Sequence, residues 1–171
     1  MGRVVRKAEL VRVRMSLRRQ GKIVVFTNGT FDILHRGHVE YLAAARALGD
    51  VLIVGLNTDA SIRRIKGKGR PINPNRDRAA VLSALAAVDY VCFFRGDTPR
   101  DIIASLIPDV LVKGADWKKE AIVGKDIVEM NGGAVHRVRL TRGRSTTNVI
   151  KRVLETYASG NKAVHAPRRG R

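Results

Sequence analysis

Short apolar runs alternate along the chain with longer segments whose apolar residues recur at helical spacing. Apolar runs at 23–26, 51–55, 89–94 and 110–112 predict strands, and the first run, rich in β-branched residues, predicts a strand that is buried on both faces of a sheet. A further strand is predicted at 134–140, where apolar and polar residues alternate. Strands that alternate with helices pair in parallel through βαβ units. The pattern therefore predicts a single doubly wound α/β domain with a mostly parallel five-stranded sheet.

The segments between these strands predict helices. The first lies at 7–20, where Leu10 and Leu17 share a face. We expect it to pack on the edge of the sheet with its arginines in water. The other helices are predicted at about 35–48, 60–65, 75–88, 99–106, 124–130 and 147–157.

Positive charge is concentrated at the two ends of the chain. The formal net charge is +18 at pH 7, and 1–22 holds eight Lys and Arg residues while 161–171 holds four. Aromatic residues make up only 5% of the chain, and no RNP-like motif, zinc finger or helix-turn-helix accompanies the charge. We therefore expect weak nonspecific binding by the ends and no specific nucleic-acid partner. The chain divides into a basic N-terminal helix, a main domain and a disordered basic tail, at 1–21, 22–158 and 159–171.

Cysteine content and hydropathy narrow the class of protein. Cys92 is the only cysteine and lies in an apolar run, so a disulfide framework is excluded and a reducing compartment is expected. No apolar run approaches the ~20 residues of a membrane span, and the basic N-terminus lacks the apolar core of a signal peptide. The sequence predicts a cytoplasmic protein without a membrane partner.

The first βα unit carries the strongest indication of chemistry. Residues 27–30 form a turn with Asn28 and Gly29, residue types that let a ligand approach the main chain closely. His35 and His38 then share one face at the start of a helix, the end that favours anions. The alternatives are a pair of surface histidines or half of a metal site. Because His-x-x-His supplies only two ligands, we assign no metal-binding residue and expect a phosphate group here.

Further segments supply candidates for ligand binding. The loop 66–74 brings three cations to the carboxyl edge of the sheet, although it lacks the spacing of a Walker or dinucleotide loop. A solvated basic loop is the alternative. A cap at 145–146 makes a second helix N-terminus that can hold an anion. Lys113 can pair with phosphate and Asp116 with a hydroxyl or a base, while Trp117 either packs or stacks on the ligand.

The sequence HRGH at 35–38, after TNGTFD at 27–32, resembles the His-x-Gly-His signature of the nucleotidyltransferase superfamily. With the segments 66–73, 111–116 and 145–148 and with Arg78, the resemblance covers about 18–157. It points in particular to the adenylyltransferase domain of the bacterial ADP-heptose synthases. It implies a Rossmann-like fold for the domain.

The resemblance also implies roles for individual residues. Catalysis is expected from His35, His38 and Lys113, which would stabilise phosphate groups as charge develops. The remaining implied contacts are to the nucleotide, from Thr27, Asn28, Gly29, Thr30, Phe31, Asp32, Gly37, Asp116, Ser145, Thr146 and Thr147, and to the acceptor, from Lys66, Arg78, Asn57 and Asp59.

The reaction implied by the resemblance joins ATP to heptose 1-phosphate and yields ADP-heptose and pyrophosphate, a step toward lipopolysaccharide or another surface polysaccharide. Mg²⁺ is expected with the triphosphate, and a homodimer is expected. Related cytidylyltransferases carry an arginine at the position of Leu140, so Arg142 or Arg144 supplies that charge instead. The alternatives are a CTP-dependent glycerol-3-phosphate cytidylyltransferase, or a nucleotide- or nucleic-acid-binding module without catalysis.

Overall fold

A parallel sheet forms the centre of the computed structural model, which describes residues 1–158. The described strands are β1 (Arg3–Val4), β2 (Val24–Gly29), β3 (Val51–Asn57), β4 (Tyr90–Phe94), β5 (Val110–Gly114) and β6 (Ala134–Val138). Their order across the sheet is β1-β4-β3-β2-β5-β6, and every neighbouring pair is parallel. The doubly wound α/β prediction is confirmed. The strand count was one too low, because β1 has only two residues and shows no periodicity.

The topology locates the binding crevice. The central strand β2 pairs with β3 on one side and with β5 on the other. The chain therefore winds outward from β2 in both directions, and the strand order reverses between β2 and β5. Ligands of open α/β sheets bind outside the carboxyl ends of the strands at such a switch point.

Helices connect the strands of the sheet. The predicted helix 75–88 is shorter in the structure and ends at Ser83, where the following residues turn before β4. The helices are α1 (Lys7–Arg19), α2 (Arg36–Arg46), α3 (Asp59–Lys66), α4 (Asn75–Ser83), α5 (Arg100–Leu106), α6 (Lys125–Met130) and α7 (Thr146–Ala158), with a 3-10 turn at Lys119–Ala121.

Two apolar layers lie on opposite faces of the sheet. Val25 packs with Leu42 of α2 and Leu82 of α4 on one face. Its neighbour Val24 packs on the other face with Leu10 of α1 and with α5. Successive residues of a strand point to opposite faces, so an uninterrupted apolar run is what a sheet covered on both sides requires.

The arginines of α1 were expected to lie in water, and for Arg14 this prediction was wrong. Its side chain is buried rather than in water, and its Nε donates to the carbonyl oxygens of Leu106 and Ile107 at 3.1 and 3.2 Å. Its Nη2 pairs with Asp109 at 2.8 Å. A cation at these carbonyls stabilises the C-terminal end of α5. The N-terminal helix is thus bonded to the core of the domain.

Within residues 1–158, no helix combines the length and the apolar composition needed to cross a bilayer. The tail expected at 159–171 lies outside the described residues.

Candidate active site

A cavity of about 510 Å³ opens at the carboxyl ends of β2, β3 and β5. Asn28 and Gly29 at the end of β2, Asn57 at the end of β3 and Lys113 at the end of β5 line it. The N-termini of α2 and α7 contribute further walls. The cavity therefore occupies the switch-point crevice of the sheet.

Two histidine rings stack against each other at the start of α2. His35 is the N-cap residue and His38 lies in the first turn; their ring centroids are 3.9 Å apart with an interplanar angle of 19°. The Phe31 ring packs edge-on against His38, with 5.2 Å between centroids. Gly37 permits this packing, because a Cβ atom there would lie 3.2 Å from both the His35 ring and the Cβ of Arg144. Packing on several sides therefore fixes the pair where it lines the cavity.

Burial favours the neutral form of both imidazoles. Burial, together with the charges of His35 and Lys66, lowers the pKa of His38 to about 4. Burial and the nearby Arg144 also lower the pKa of His35. The Nδ1 atoms of both rings are buried and have no hydrogen-bond partner within residues 1–158. An anion bound beside the pair would raise both pKa values, because it favours the charged imidazolium.

Lys113 brings a buried cation from the end of β5. Its Nζ donates to Oδ1 of Asn28 and lies 5.4 Å from the centroid of the Trp117 ring. Burial lowers the pKa of Lys113 to about 8, although the charge of Asp116 acts in the opposite direction. The amine remains largely protonated at pH 7, so it can pair with a phosphate.

The N-terminus of α7 supplies hydroxyl groups and backbone donors. Ser145 Oγ accepts a hydrogen bond from a backbone N–H of the first turn at 3.1 Å, as a helix cap does. Thr146 Oγ1 donates to the carbonyl oxygen of Ile33 at 3.3 Å, which ties this end of the helix to the loop before α2. Arg144 lines the cavity, whereas Arg142 does not. The geometry therefore favours Arg144 as the additional cation.

Arg78 lies beneath the cavity. Its side chain is 0% exposed. The guanidinium donates to the carbonyl oxygens of Thr30, Asn57 and Asn73 and to Asp59 Oδ1, at distances of 2.6 to 3.0 Å. Every nitrogen of Arg78 is thus engaged by a protein acceptor. Arg78 and Asp59 were expected to contact the acceptor directly. In the structure the pair instead joins neighbouring loops to each other.

Asp32 is a second buried anchor, with a side chain that is 0% exposed. Its carboxylate accepts hydrogen bonds from the backbone N–H groups of Ile72 and Asn73 at 2.8 to 2.9 Å and from Arg70 Nε at 2.6 Å. Burial raises the pKa of Asp32, but these hydrogen bonds and the charge of Arg70 outweigh it and hold the pKa below its usual value. Asp32 was expected to contact the nucleotide, whereas in the structure its carboxylate binds the 66–74 loop.

Comparison with known proteins assigns the family. A family model described as Cytidylyltransferase-like matches residues 26–157, well over half of the chain. The chain belongs to the cytidylyltransferase-like family. Its sequence also matches bifunctional protein HldE of Syntrophotalea carbinolica, with 54% identity over 157 residues that cover 88% of this chain and 32% of the relative. HldE of Campylobacter concisus is 58% identical over 141 residues, 82% of this chain and 29% of the relative.

This member of the cytidylyltransferase-like family thus spans about a third of the length of the curated relatives it matches. Among solved structures, the lipopolysaccharide core biosynthesis protein from Thermoplasma volcanium GSS1 is similar, with 32% identity and a TM-score of 0.59. That match covers 72% of this chain and 100% of the solved one. The sequence-based resemblance to the adenylyltransferase domain of ADP-heptose synthases is confirmed by these matches.

Most of the residues expected in the site of this cytidylyltransferase-like domain do line the cavity. Four expected residues do not line it: Asp32, Asp59 and Arg78, described above, and Thr27. The buried hydroxyl of Thr27 instead hydrogen-bonds the hydroxyl of Tyr41 at 2.7 Å. The expected residues that line the cavity are Asn28, Gly29, Thr30, Phe31, His35, Gly37, His38, Asn57, Lys66, Lys113, Asp116, Ser145, Thr146 and Thr147.

Sequence reasoning gave no role in the site to several lining residues. Tyr41 lies one turn after His38 on the same helix face, a spacing that was available as a signal. Asp97 follows β4 at the carboxyl edge of the sheet, just before the helix predicted at 99–106. Arg70 lies in the 66–74 loop, and no local pattern shows which of its cations faces inward.

Proposed function

We propose that the protein is an adenylyltransferase that joins the AMP moiety of ATP to heptose 1-phosphate, giving ADP-heptose and pyrophosphate for a surface-polysaccharide precursor. One observation carries the proposal: a stacked histidine pair at a helix N-terminus lines the same cavity as Lys66, Lys113 and Arg144. The 54% identity to HldE supports the choice of sugar. The similarity to the lipopolysaccharide core biosynthesis protein supports the same pathway class.

The distribution of cations fits two anionic substrates. Arg144 lies beside His35, and Lys66 hydrogen-bonds Thr30, next to the Phe31 ring that packs on His38, so both cations lie near the pair. Lys113 supplies a third positive charge in the same cavity. ATP and a sugar phosphate repel each other in water, and a cavity lined with cations and helix N-termini offsets that repulsion.

The reaction needs positioning and charge stabilisation. An oxygen of the acceptor phosphate forms a bond to the α-phosphorus of ATP. The bond from that phosphorus to the bridging oxygen breaks, and pyrophosphate leaves with the electron pair. A phosphate monoester is already anionic at neutral pH, so no strong base is required. His35, His38 and Lys113 would donate hydrogen bonds to the phosphate oxygens as charge builds on them.

Mg²⁺ would enter as part of the MgATP substrate. In the described part of the chain, no three His, Cys, Asp or Glu side chains form a metal-binding cluster. Nucleotide-bound Mg²⁺ is usually held by phosphates and water with one or two carboxylates, and Asp97 and Asp116 line the cavity and suit that role. The ion would neutralise part of the charge of the triphosphate.

The cavity wall bears on the choice of base. Leu140 lines the cavity beside Gly114 and Asp116 and offers no hydrogen-bond donor. Arginine occupies the matching position in the cytidylyltransferases that the sequence resembles. We therefore expect ATP to be preferred over CTP.

Pyrophosphate release measured with four nucleoside triphosphates and a panel of sugar and alcohol phosphates tests the proposal. ATP with heptose 1-phosphate should give the highest kcat/KM, exceeding CTP with glycerol 3-phosphate by roughly 10⁴-fold if buried polar groups pair with the sugar hydroxyls. A ratio near one, or a preference for the CTP pair, would refute the substrate assignment. Absence of turnover with every pair would favour a binding module without catalysis.

We further infer a homodimer that forms through α7. Val153, Leu154 and Tyr157 lie on this helix and are 49%, 63% and 66% exposed. A second copy offers a matching apolar face that would cover them. Sedimentation should show a dimer at micromolar concentration and a monomer for Leu154→Glu. A wild-type monomer would refute the inference.

We place the reaction in the cytoplasm, where ATP is made, and propose no specific nucleic-acid partner. The basic ends would give weak binding to DNA that falls steeply with salt. Sequence-selective binding in a competition titration would contradict this.

A further inference from the structure

Arg70 is a cation of the cavity whose position is fixed by a buried partner. Its side chain is only 16% exposed, and Nε is bonded to the buried Asp32 carboxylate at 2.6 Å. That carboxylate is itself fixed by the backbone N–H groups of Ile72 and Asn73. A guanidinium held at Nε loses little side-chain entropy when it binds a second anion.

The remaining donors of Arg70 are available to a ligand. Within residues 1–158, neither Nη atom makes a hydrogen bond, while Arg70 lines the cavity. Two parallel N–H donors on a planar fork match the oxygens of a phosphate group. Arg78 provides a contrast eight residues later, because all of its nitrogens are bonded to protein acceptors.

Two neighbours extend Arg70 into an anion subsite. Lys66 Nζ hydrogen-bonds Thr30 Oγ1 at 3.3 Å, and both residues line the cavity. Burial and the repulsion from Arg70 lower the pKa of Lys66, although the charge of Asp32 acts in the opposite direction. A doubly charged anion between them would remove this repulsion.

The geometry of phosphoryl transfer indicates which anion belongs there. In an in-line displacement, the attacking and leaving oxygens lie on opposite sides of the phosphorus. Arg144, just before the N-terminus of α7, lies beside His35, because a Cβ atom on Gly37 would be 3.2 Å from both residues. Lys66 hydrogen-bonds Thr30, the neighbour of Phe31, and the Phe31 ring packs on His38. With the α-phosphate at the histidines and pyrophosphate at α7, the attacking phosphate would sit beside Lys66 and Arg70.

We propose that Arg70, with Lys66 and Thr30, forms the subsite for the phosphate group of the acceptor, and that Asp32 is a positioning residue for Arg70. The proposal rests on the proposed adenylyl transfer and adds a phosphate-binding residue to it. The proposal predicts that binding of the acceptor and binding of the nucleotide depend on different cations.

Calorimetric titration of the full chain tests this division. Heptose 1-phosphate is titrated in the presence of saturating α,β-methylene-ATP, which prevents turnover. Arg70→Ala should raise the Kd of the sugar phosphate by roughly 10- to 100-fold, the usual range for lost charge-assisted hydrogen bonds. The Kd of α,β-methylene-ATP should change less than about twofold. Lys68→Ala is the matched control, because Lys68 is exposed in the same loop and does not line the cavity.

Arg70→Lys should give an intermediate loss, because lysine keeps the charge but lacks the Nε bond and the fork. In Asp32→Asn, KM for the acceptor should rise while KM for ATP does not, a split that general loosening of the fold would not produce. An unchanged sugar-phosphate Kd in Arg70→Ala, or a loss confined to the nucleotide, would overturn the proposal. Wild-type protein that fails to bind heptose 1-phosphate but binds inorganic phosphate through Arg70 would refute the sugar assignment and support the subsite.

Discussion

Acidification should destabilise the protein through His38. Burial lowers the pKa of this imidazole from 6.5 to about 4 in the folded state. Between these values the unfolded chain binds a proton that the folded chain excludes, so the free energy of unfolding falls as the pH falls. At pH 5 the loss amounts to about 2 kcal/mol, and it approaches about 3 kcal/mol below pH 4. Above pH 6.5 the ring is neutral in both states and the effect vanishes.

His38→Ala isolates this contribution. Urea unfolding at pH 7 and pH 5 gives the free energy of unfolding of the wild type and the variant under each condition. At pH 7 the variant should lose about 1 kcal/mol from missing ring contacts with His35 and Phe31. At pH 5 its stability relative to the wild type should improve by about 2 kcal/mol. His136→Ala, at an exposed ring on β6, is the control. An equal difference at the two pH values would refute the burial of a neutral His38.

Three other predictions concern activity and stability. His38→Ala should lower kcat by roughly 10²- to 10³-fold in a folded protein, and near wild-type turnover would exclude a role in the transition state. The pKa of Lys113 of about 8 predicts that kcat/KM for ATP falls as the pH rises through 8, and a profile that Lys113→Arg leaves unchanged would assign the titration elsewhere. Arg14→Met should destabilise the fold by about 2 kcal/mol, because the α5 carbonyls lose a charged donor, and a melting temperature within one degree of wild type would contradict this.

The architecture could be predicted from the sequence because the βαβ pattern is repeated and depends on residues that are close together in the chain. Apolar runs such as 51–55 match the buried strands closely, and the helix boundaries differ by a few residues. The strand β1 escaped notice because its only signal is pairing with Tyr90 and Val91, residues distant in sequence. Arg14 was placed in water for a similar reason, since its acceptors at Leu106 and Ile107 are brought to it by tertiary packing.

The residues of the site were predictable by segment but not by side-chain direction. The edge rule for parallel sheets brings the loops after β2, β3 and β5 together, and most of the expected residues accordingly line one cavity. In the segments that follow β2 and β3, Asp32 and Arg78 of α4 point into the protein while Arg70 points into the cavity. This division depends on which carbonyl and amide groups are left unpaired beneath the loops, which no spacing rule specifies.

Two buried ion pairs beneath the cavity hold the loops that carry its cations. Arg78 with Asp59, and Arg70 with Asp32, hold the surrounding loops in place through hydrogen bonds to the backbone. Because the loops are fixed, the cations above them cannot move apart to reduce their repulsion. Burial and neighbouring positive charge accordingly lower the pKa values of His38 and Lys66. A phosphate bound beside these groups would favour their charged forms and raise both pKa values, so binding of anionic substrates would offset part of the free-energy cost of assembling the charges.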